Sequence, residues 1–475
     1  MAGAVYGKAD SHVLVPGENH VQLNETPAER DARMGWWRKA KFGMFIHFGL
    51  YSGLGGEFKG RAGGAEWLQT NLGLDTETYA AEAMPLFNPA PGCTEEWAKL
   101  AKVAGCRYMV LTTKHHDGYA LFDSKVSDYT TAKTKGRDIV REFTESARKN
   151  GLRVGFYHSV IDWHHPSYDN TICRGLCYPS GQAKMLRERG VPRDHAAYQA
   201  FLQAQVKELL TNYGKVDILW WDYSQGDASG ERGWKAPTLI SMAHKLQPGI
   251  VMNNRLYAYS SLKSESDAAG LDLRCGDFMT PEKRLLAMGV NGVDWEACMT
   301  LGNHWGFNRR DKAAYKSVPT LLRSLQRCAA LGGNLLLNIS PREDGSVPPP
   351  AVEAFWRIGR WMEVNGESVY ESVPVPELKL PEEWLASRVG RHLYLFAPVI
   401  KTEEEAVTVR IPASVFGKGK IEPVVLGQPD CKVQVNLVKD EESGESMAEL
   451  AIPASAWVFA IEGLPVIKLS APSAR

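Results

Sequence analysis

Short apolar runs recur through the first three quarters of the chain: Phe42–Phe48 (FGMFIHF), Tyr108–Thr112 (YMVLT), Val154–His158 (VGFYH), Val216–Trp221 (VDILWW), Ile250–Asn253 (IVMN) and Leu335–Ile339 (LLLNI). Runs this continuous are what strands of a parallel sheet buried on both faces require. Segments with helical spacing lie between them. Thr94–Gly105 has a Thr N-cap, glutamates in its first turn and a Gly stop; Asp138–Gly151 sets Ile139, Val140 and Phe143 on one stripe; Tyr198–Tyr213 is a third. Strands alternating with helices predict β/α units, and their number over ~340 residues favours a closed barrel over an open sheet.

The texture changes after Val373. His392–Phe396, Ala406–Ile411, Lys432–Leu437 and Ala456–Ile461 are short and alternating or β-rich, separated by Gly, Pro and charged turns. They predict an antiparallel β-sandwich beyond a linker near Val373–Pro376. The organisation expected is therefore an N-terminal extension over residues 1–30, a barrel over 31–372 and the β-sandwich over 373–475.

Composition narrows the function classes. The 475 residues are 44% hydrophobic, and 55 basic residues balance 55 acidic ones. Disorder and coiled coil are disfavoured, and a neutral balance argues against a nucleic-acid partner, which demands a basic excess. No run approaches the ~18 apolar residues of a membrane span. Residues 1–20 lack a basic start followed by an apolar stretch, so no leader is visible and the compartment stays open. The eight cysteines are scattered, only Cys173 and Cys177 being close. That spacing excludes a disulfide-dense scaffold and predicts no zinc site.

The chemistry gathers at strand ends. His47 closes the first run; Lys114, His115, His116 and Asp117 follow the second; Tyr157 and His158 end the third, Asp222 the fourth, and Asn254 and Arg255 follow the fifth. Polar and aromatic groups recurring there converge at one face of a barrel, where the active sites of that fold lie. Asp222 closes an apolar strand behind Trp220 and Trp221, whose rings, if exposed, form a platform for the apolar face of a sugar. Adjacent histidines project oppositely from a strand and no HxH or HxxxH spacing occurs, so neutral hydrogen bonding to hydroxyl groups is favoured over metal ligation for His47, His115 and His116. His164 and His165 equally suit holding a loop. Glu282, in GDFMTPEK, and Glu296, in DWE, are the acidic partners for Asp222. Two carboxylates are the minimum for glycoside cleavage.

Eight ordered blocks carry a resemblance: WWRKAKFGMFIHFGLYS, GAEWL, YMVLTTKHHDGYALFDS, GFYHSVIDWHHPSYD, VDILWWDYS, GDFMTPE, WEACMTLGNHWGFN and GGNLLLNISPREDGSVP. Together, over about Trp36–Val364, they resemble family 29 glycoside hydrolases, the α-L-fucosidases. The resemblance implies a (β/α)₈-like TIM barrel with a C-terminal antiparallel β-sandwich, and retaining exo-hydrolysis of terminal α-L-fucosyl residues through a covalent intermediate. It implies no metal or organic cofactor, and a fucosylated glycan as substrate. Asp222 matches the nucleophile of the family's Trp-x-Asp block, and the Thr-Pro-Glu block favours Glu282 as acid/base, with Glu296 second. The sugar pocket is expected from His47, Glu66, Trp67, His115, His116, Tyr157, Trp220, Arg255 and Trp305. Aromatic surface there suits the C5 methyl of fucose.

Two features depart from the family pattern. Tyr223 follows the nucleophile position where a small residue, often Gly, is common. Thr171–Asp194 is rich in Arg, Gly and Cys; its basic side chains either read a sulfated glycan or form a solvated loop, the latter being the usual fate of charged loops. An α-L-galactosidase, a degenerate sugar-binding protein and a metal-dependent hydrolase built on the histidine pairs are the alternatives.

Overall fold

Alternate residues of the parallel strands part into two cores. In the computed structural model, which describes residues 25–169, 178–224, 228–257, 276–286, 293–311, 315–400, 405–416, 421–441 and 443–470, the strands are β1 (Phe42–Ile46), β2 (Tyr108–Lys114), β3 (Arg153–Ser159), β4 (Ile218–Asp222), β5 (Val251–Met252), β6 (Glu296–Thr300) and β7 (Asn334–Ile339). They form one seven-stranded sheet in the order β5-β4-β3-β2-β1-β7-β6, every pair parallel. Phe45, Tyr108, Val110, Tyr157, Ile218, Trp220, Val251, Cys298 and Leu336 face inward as one cluster. Met44, Ile46, Met109, Leu111, Phe156, Leu219, Trp221, Met252 and Leu337 face the surrounding helices. Burial on both faces is why these strands read as continuous apolar runs.

The stretch Asp277–Lys283 joins the two edges. Phe278 bridges Asn253 beyond β5, while Met279 and Glu282 bridge Trp295 and Cys298 on the β6 side, all in parallel. The Asn254 N–H donates to the Phe278 carbonyl at 3.1 Å, and the Cys298 N–H to the Pro281 carbonyl at 3.0 Å. The cylinder is thus closed by a segment that carries a proline and hence no strand signature.

Helix α1 (Pro27–Ala40) plugs the N-terminal end of the barrel. Thr26 and Glu29 form a capping box and Pro27 opens the first turn. Its Met34, Trp37 and Ala40 belong to the interior cluster, Arg33 pairs with Asp277 at 2.7 Å and Arg38 with Asp294 at 2.7 Å. Outer helices α2 (Cys93–Ala104), α3 (Ile139–Lys149), α4 (His195–Asn212), α5 (Ala236–Leu246), α6 (Val318–Ala330) and α7 (Pro349–Asn365) complete the β/α units. The expected Thr94 cap is replaced by Gly92; the Thr94 hydroxyl bonds Ser146 on α3 at 3.0 Å instead.

Beyond residue 373, β8 (Leu385–Val389), β9 (His392–Phe396), β10 (Ala406–Pro412), β11 (Glu422–Val425), β12 (Gln434–Lys439), β13 (Ser446–Pro453) and β14 (Val466–Ser470) form two antiparallel sheets, β8-β9-β14-β11 and β10-β13-β12. Leu393, Leu395, Ile467 and Leu469 from one meet Val409, Ile411, Leu450 and Ile452 from the other in a core of their own. The strand expected at Ala456–Ile461 is instead a helix, Ser455–Phe459. Only Ala456 and Trp457 are buried there, while Val458 and Phe459 are 75% and 74% exposed, so the segment lacks two-faced alternation. Trp457 anchors the turn through an Nε1 bond to the Pro398 carbonyl at 2.9 Å. No helix of the described residues is long and apolar enough to cross a membrane.

Candidate active site

Asp222 stands at the C-terminal rim of β4, one step beyond inward-facing Trp220 and outward-facing Trp221. The Tyr157 hydroxyl donates to its Oδ2 at 2.7 Å and Arg255 Nη1 to its Oδ1 at 2.7 Å. Arg255, just past β5, is buried and forked: Nη2 donates to Glu282 Oε2 at 3.0 Å and Nε to the Thr280 hydroxyl at 2.6 Å. Its guanidinium lies 4.5 Å from the centroid of the Trp220 ring. The two carboxylates hold this buried cation firmly charged, driving its pKa above the usual arginine value against the opposing cost of burial.

Glu282 is the more open carboxylate of the pair, its side chain 42% exposed against 14% for Asp222. Trp305 Nε1 donates to its Oε1 at 3.0 Å. One guanidinium therefore bridges the two carboxylates at the barrel mouth.

Glu296 occupies the other end. It is the first residue of β6 and its carboxyl is fully buried on the barrel floor. The Tyr108 hydroxyl donates to Oε2 at 2.5 Å and Trp220 Nε1 to Oε1 at 3.2 Å. Burial pushes its pKa up to about 7. The structure thus brings Glu282, and not Glu296, to the mouth beside Asp222.

Three histidines line the same rim. His47 Nδ1 meets Asn338 Oδ1 at 2.7 Å, and His116 Nδ1 meets Ser159 Oγ at 2.7 Å. The Ser159 hydroxyl already donates to the Ile161 carbonyl at 2.8 Å, so His116 Nδ1 must be the donor. Its bare Nε2 then lies 3.8 Å from Asp222 Oδ2. Asn338 Oδ1 likewise accepts from His47. Burial pushes both imidazoles down to about 3, leaving neutral rings whose Nε2 atoms carry a lone pair. His115 stacks on Tyr157 with centroids 5.6 Å apart, and its buried Nδ1 finds no partner among the described residues. Glu66 accepts the Gly306 N–H at 2.8 Å, fixing the loop that carries Trp305; the Trp305 ring stacks on His47 at 4.9 Å. Trp67 meets His116 edge-on at 5.2 Å.

Tyr223 adopts φ 75°, a left-handed backbone that glycine takes without strain. The observation explains why glycine suits this place. The ring is held against Trp67 at 5.6 Å and His116 at 5.3 Å. Comparing Tyr223→Gly with Tyr223→Ala isolates the strain, since both lose the ring. The glycine variant is expected to be the more stable by about 1 kcal/mol in urea unfolding; equal stabilities would refute a strained backbone.

Other expectations are corrected. Trp220 and Trp221 are not an exposed platform. Both are buried, because β4 turns one into the barrel and the other under the helices. In Thr171–Asp194, residues 171–177, with Cys173, Arg174 and Cys177, lie outside the described residues. In the remainder Arg189 pairs with Glu77, Lys184 lies 3.8 Å from Glu188, and Arg193 bonds the Tyr168 carbonyl. His164 and His165 donate their backbone N–H groups to Asp162 Oδ1 at 2.9 and 2.8 Å, and Asp162 pairs with buried Lys114 at 2.9 Å. Among the described residues no three His, Cys, Asp or Glu side chains gather as a metal site. Sequence reasoning missed Thr280 and Asn338. Asn338 was findable as the one amide inside the LLLNI run, whereas Thr280 takes its place from the irregular closing segment.

A family model described as alpha-L-fucosidase matches residues 14–367. An alpha-L-fucosidase of Dictyostelium discoideum is 28% identical over 429 residues, covering 86% of this chain and 85% of that one. Among solved structures, alpha-L-fucosidase isoenzyme 1 of Paenibacillus thiaminolyticus superposes with a TM-score of 0.78 at 33% identity, covering 94% of this chain and 100% of that one. A Bacteroides thetaiotaomicron alpha-L-fucosidase, captured as a covalent intermediate in complex with 2-fluoro-fucosyl fluoride in a Glu-to-Gln variant, gives 0.76 at 27% identity, covering 96% and 99%.

Proposed function

Because this chain belongs to the α-L-fucosidase family, we propose that Asp222 and Glu282 are the nucleophile and the general acid/base of its reaction. The protein is a retaining α-L-fucosidase that removes terminal α-L-fucosyl residues from glycans. In the first step Asp222 attacks C1 of the fucosyl unit as the C1–O bond breaks, and Glu282 gives its proton to the departing oxygen. In the second, Glu282 takes a proton from water as that water attacks C1, and the Asp222 carboxylate leaves with the bonding pair. The steps balance with two carboxylates and one water.

The observation that carries the assignment is the Arg255 fork, which bonds both carboxylates at once. Tyr157 and Arg255 aim Asp222, and Trp305 aims Glu282. To act as an acid, Glu282 must turn one oxygen from these donors toward the glycosidic oxygen, and its exposure allows that movement. His47, Glu66, Trp67, His115, His116, Tyr157, Arg255 and Trp305 form the sugar pocket in this reading, neutral imidazoles serving the ring hydroxyls. Trp220 supports Arg255 from below. We place the start of the catalytic unit at the head of α1, near Thr26, rather than at residue 31, because α1 is one helix whose Arg30 bonds the barrel at Asp294; the unit runs to 372 and the β-sandwich follows at 373–475, a division that the separate core of the latter supports.

Azide distinguishes the two roles by stereochemistry. With Asp222→Gly, azide attacks the α-fucoside directly and yields β-L-fucosyl azide. With Glu282→Ala it intercepts the glycosyl-enzyme and yields the α-azide. Reversed or absent products would overturn the assignment.

A further inference from the structure

We propose that Glu296 is a positioning residue, which from the barrel floor fixes Trp220 and through it the two groups that aim the nucleophile. This inference rests on Asp222 as nucleophile.

The chain of contacts is continuous. Glu296 accepts from Trp220 Nε1 and from the Tyr108 hydroxyl, so the indole can neither flip nor rotate without leaving a buried N–H unpaired. On its upper side the Trp220 ring carries the Arg255 guanidinium at 4.5 Å and stacks on Tyr157 at 5.7 Å with planes 20° apart. Arg255 and Tyr157 are the two donors to Asp222. Phe45 closes the remaining side of the ring at 5.1 Å.

The floor is built around this carboxyl at some cost. A Cβ on Gly43 would fall 2.3 Å from the Tyr108 ring, so the tyrosine that holds Glu296 needs a glycine beside it. Burying a carboxyl among apolar side chains is unfavourable, and an apolar residue of similar volume is commonly the more stable choice. What the carboxyl adds is directional: two acceptor oxygens that fix one indole orientation. A shift of a few tenths of an ångström there moves Arg255 and Tyr157 together, and misorientation of that size lowers turnover more than binding.

The test compares Glu296→Met with Glu296→Gln on an aryl α-L-fucoside, with folding followed by circular dichroism and melting temperature. Glutamine keeps an oxygen for Trp220 Nε1 and can donate to the Tyr108 hydroxyl. Methionine offers neither. Glu296→Met is expected to lose about tenfold or more in kcat with KM within about threefold, while Glu296→Gln stays within about threefold of the parent in both. Tyr108→Phe removes one donor without changing volume, and is expected to lower kcat severalfold at constant KM; it carries the test should Glu296→Met not fold. Unchanged kcat in folded Glu296→Met and Tyr108→Phe would overturn the proposal. So would equal losses in the Met and Gln variants with rescue by azide, since a reacting carboxylate behaves that way. Failure of the Asp222 assignment would appear in Asp222 variants and not in this set.

Discussion

Replacing Asp222 with alanine is expected to lower turnover of an aryl α-L-fucoside by about 10⁴-fold or more, with the protein still folded. The loss is large because neither of the two candidate glutamates stands in its place: Glu282 is held on the far side of the Arg255 fork and Glu296 lies at the opposite end of the barrel. Folding should survive. Asp222 is a rim residue, and without it buried Arg255 still has Glu282 and the Thr280 hydroxyl as partners. Losing one partner of a buried cation costs up to about 3–5 kcal/mol, which should appear as a lower melting temperature rather than as unfolding. Asp222→Asn keeps the volume, and its turnover should be as low. Turnover within tenfold of the parent in either folded variant would exclude Asp222 as nucleophile.

The second large effect is at Glu282 and depends on the leaving group. For a fucosyl-oligosaccharide, whose departing sugar oxygen must be protonated, Glu282→Ala should lower kcat/KM by about 10²–10⁴-fold. An aryl fucoside with an acidic phenol needs no proton to leave, so its kcat/KM should fall far less, and the slow step becomes hydrolysis of the glycosyl-enzyme. A Glu296 variant should show no such split between substrates, because that carboxyl cannot approach the glycosidic oxygen. Similar losses on both substrates in Glu282→Ala would contradict the acid/base role.

Much of this site was legible because barrel topology turns strand ends into neighbours. Tyr157 of VGFYH and Arg255 just after IVMN meet around Asp222, whereas His158, one residue further along its strand, turns away to the Thr113 hydroxyl at 3.0 Å. Facing was the harder question. WW in VDILWWD reads as one aromatic patch, yet consecutive residues of a strand point oppositely, and here neither side is solvent. The two glutamates looked equivalent in sequence. What separates them is strand polarity: Glu296 begins β6, so it sits on the floor, whereas Glu282 ends the closing segment at the mouth. That segment escaped the hydrophobic pattern because Pro281 breaks it and its pairing is by isolated bridges rather than a ladder. In the β-sandwich, Ala456–Ile461 has strand composition without strand alternation, and the exposure of Val458 and Phe459 shows which of the two decides. The strain at Tyr223 lies in a dihedral angle that no pattern of residue types reveals.

The central claim is that Asp222 forms the bond to C1. Incubating the enzyme with 2-fluoro-fucosyl fluoride, digesting it and sequencing the labelled peptide by mass spectrometry tests this directly. The label is predicted on Asp222, within the peptide containing ILWWDYS, and the Asp222→Asn variant should take up none. A label on Glu282 or on any other residue, or labelling that persists in Asp222→Asn, would contradict it.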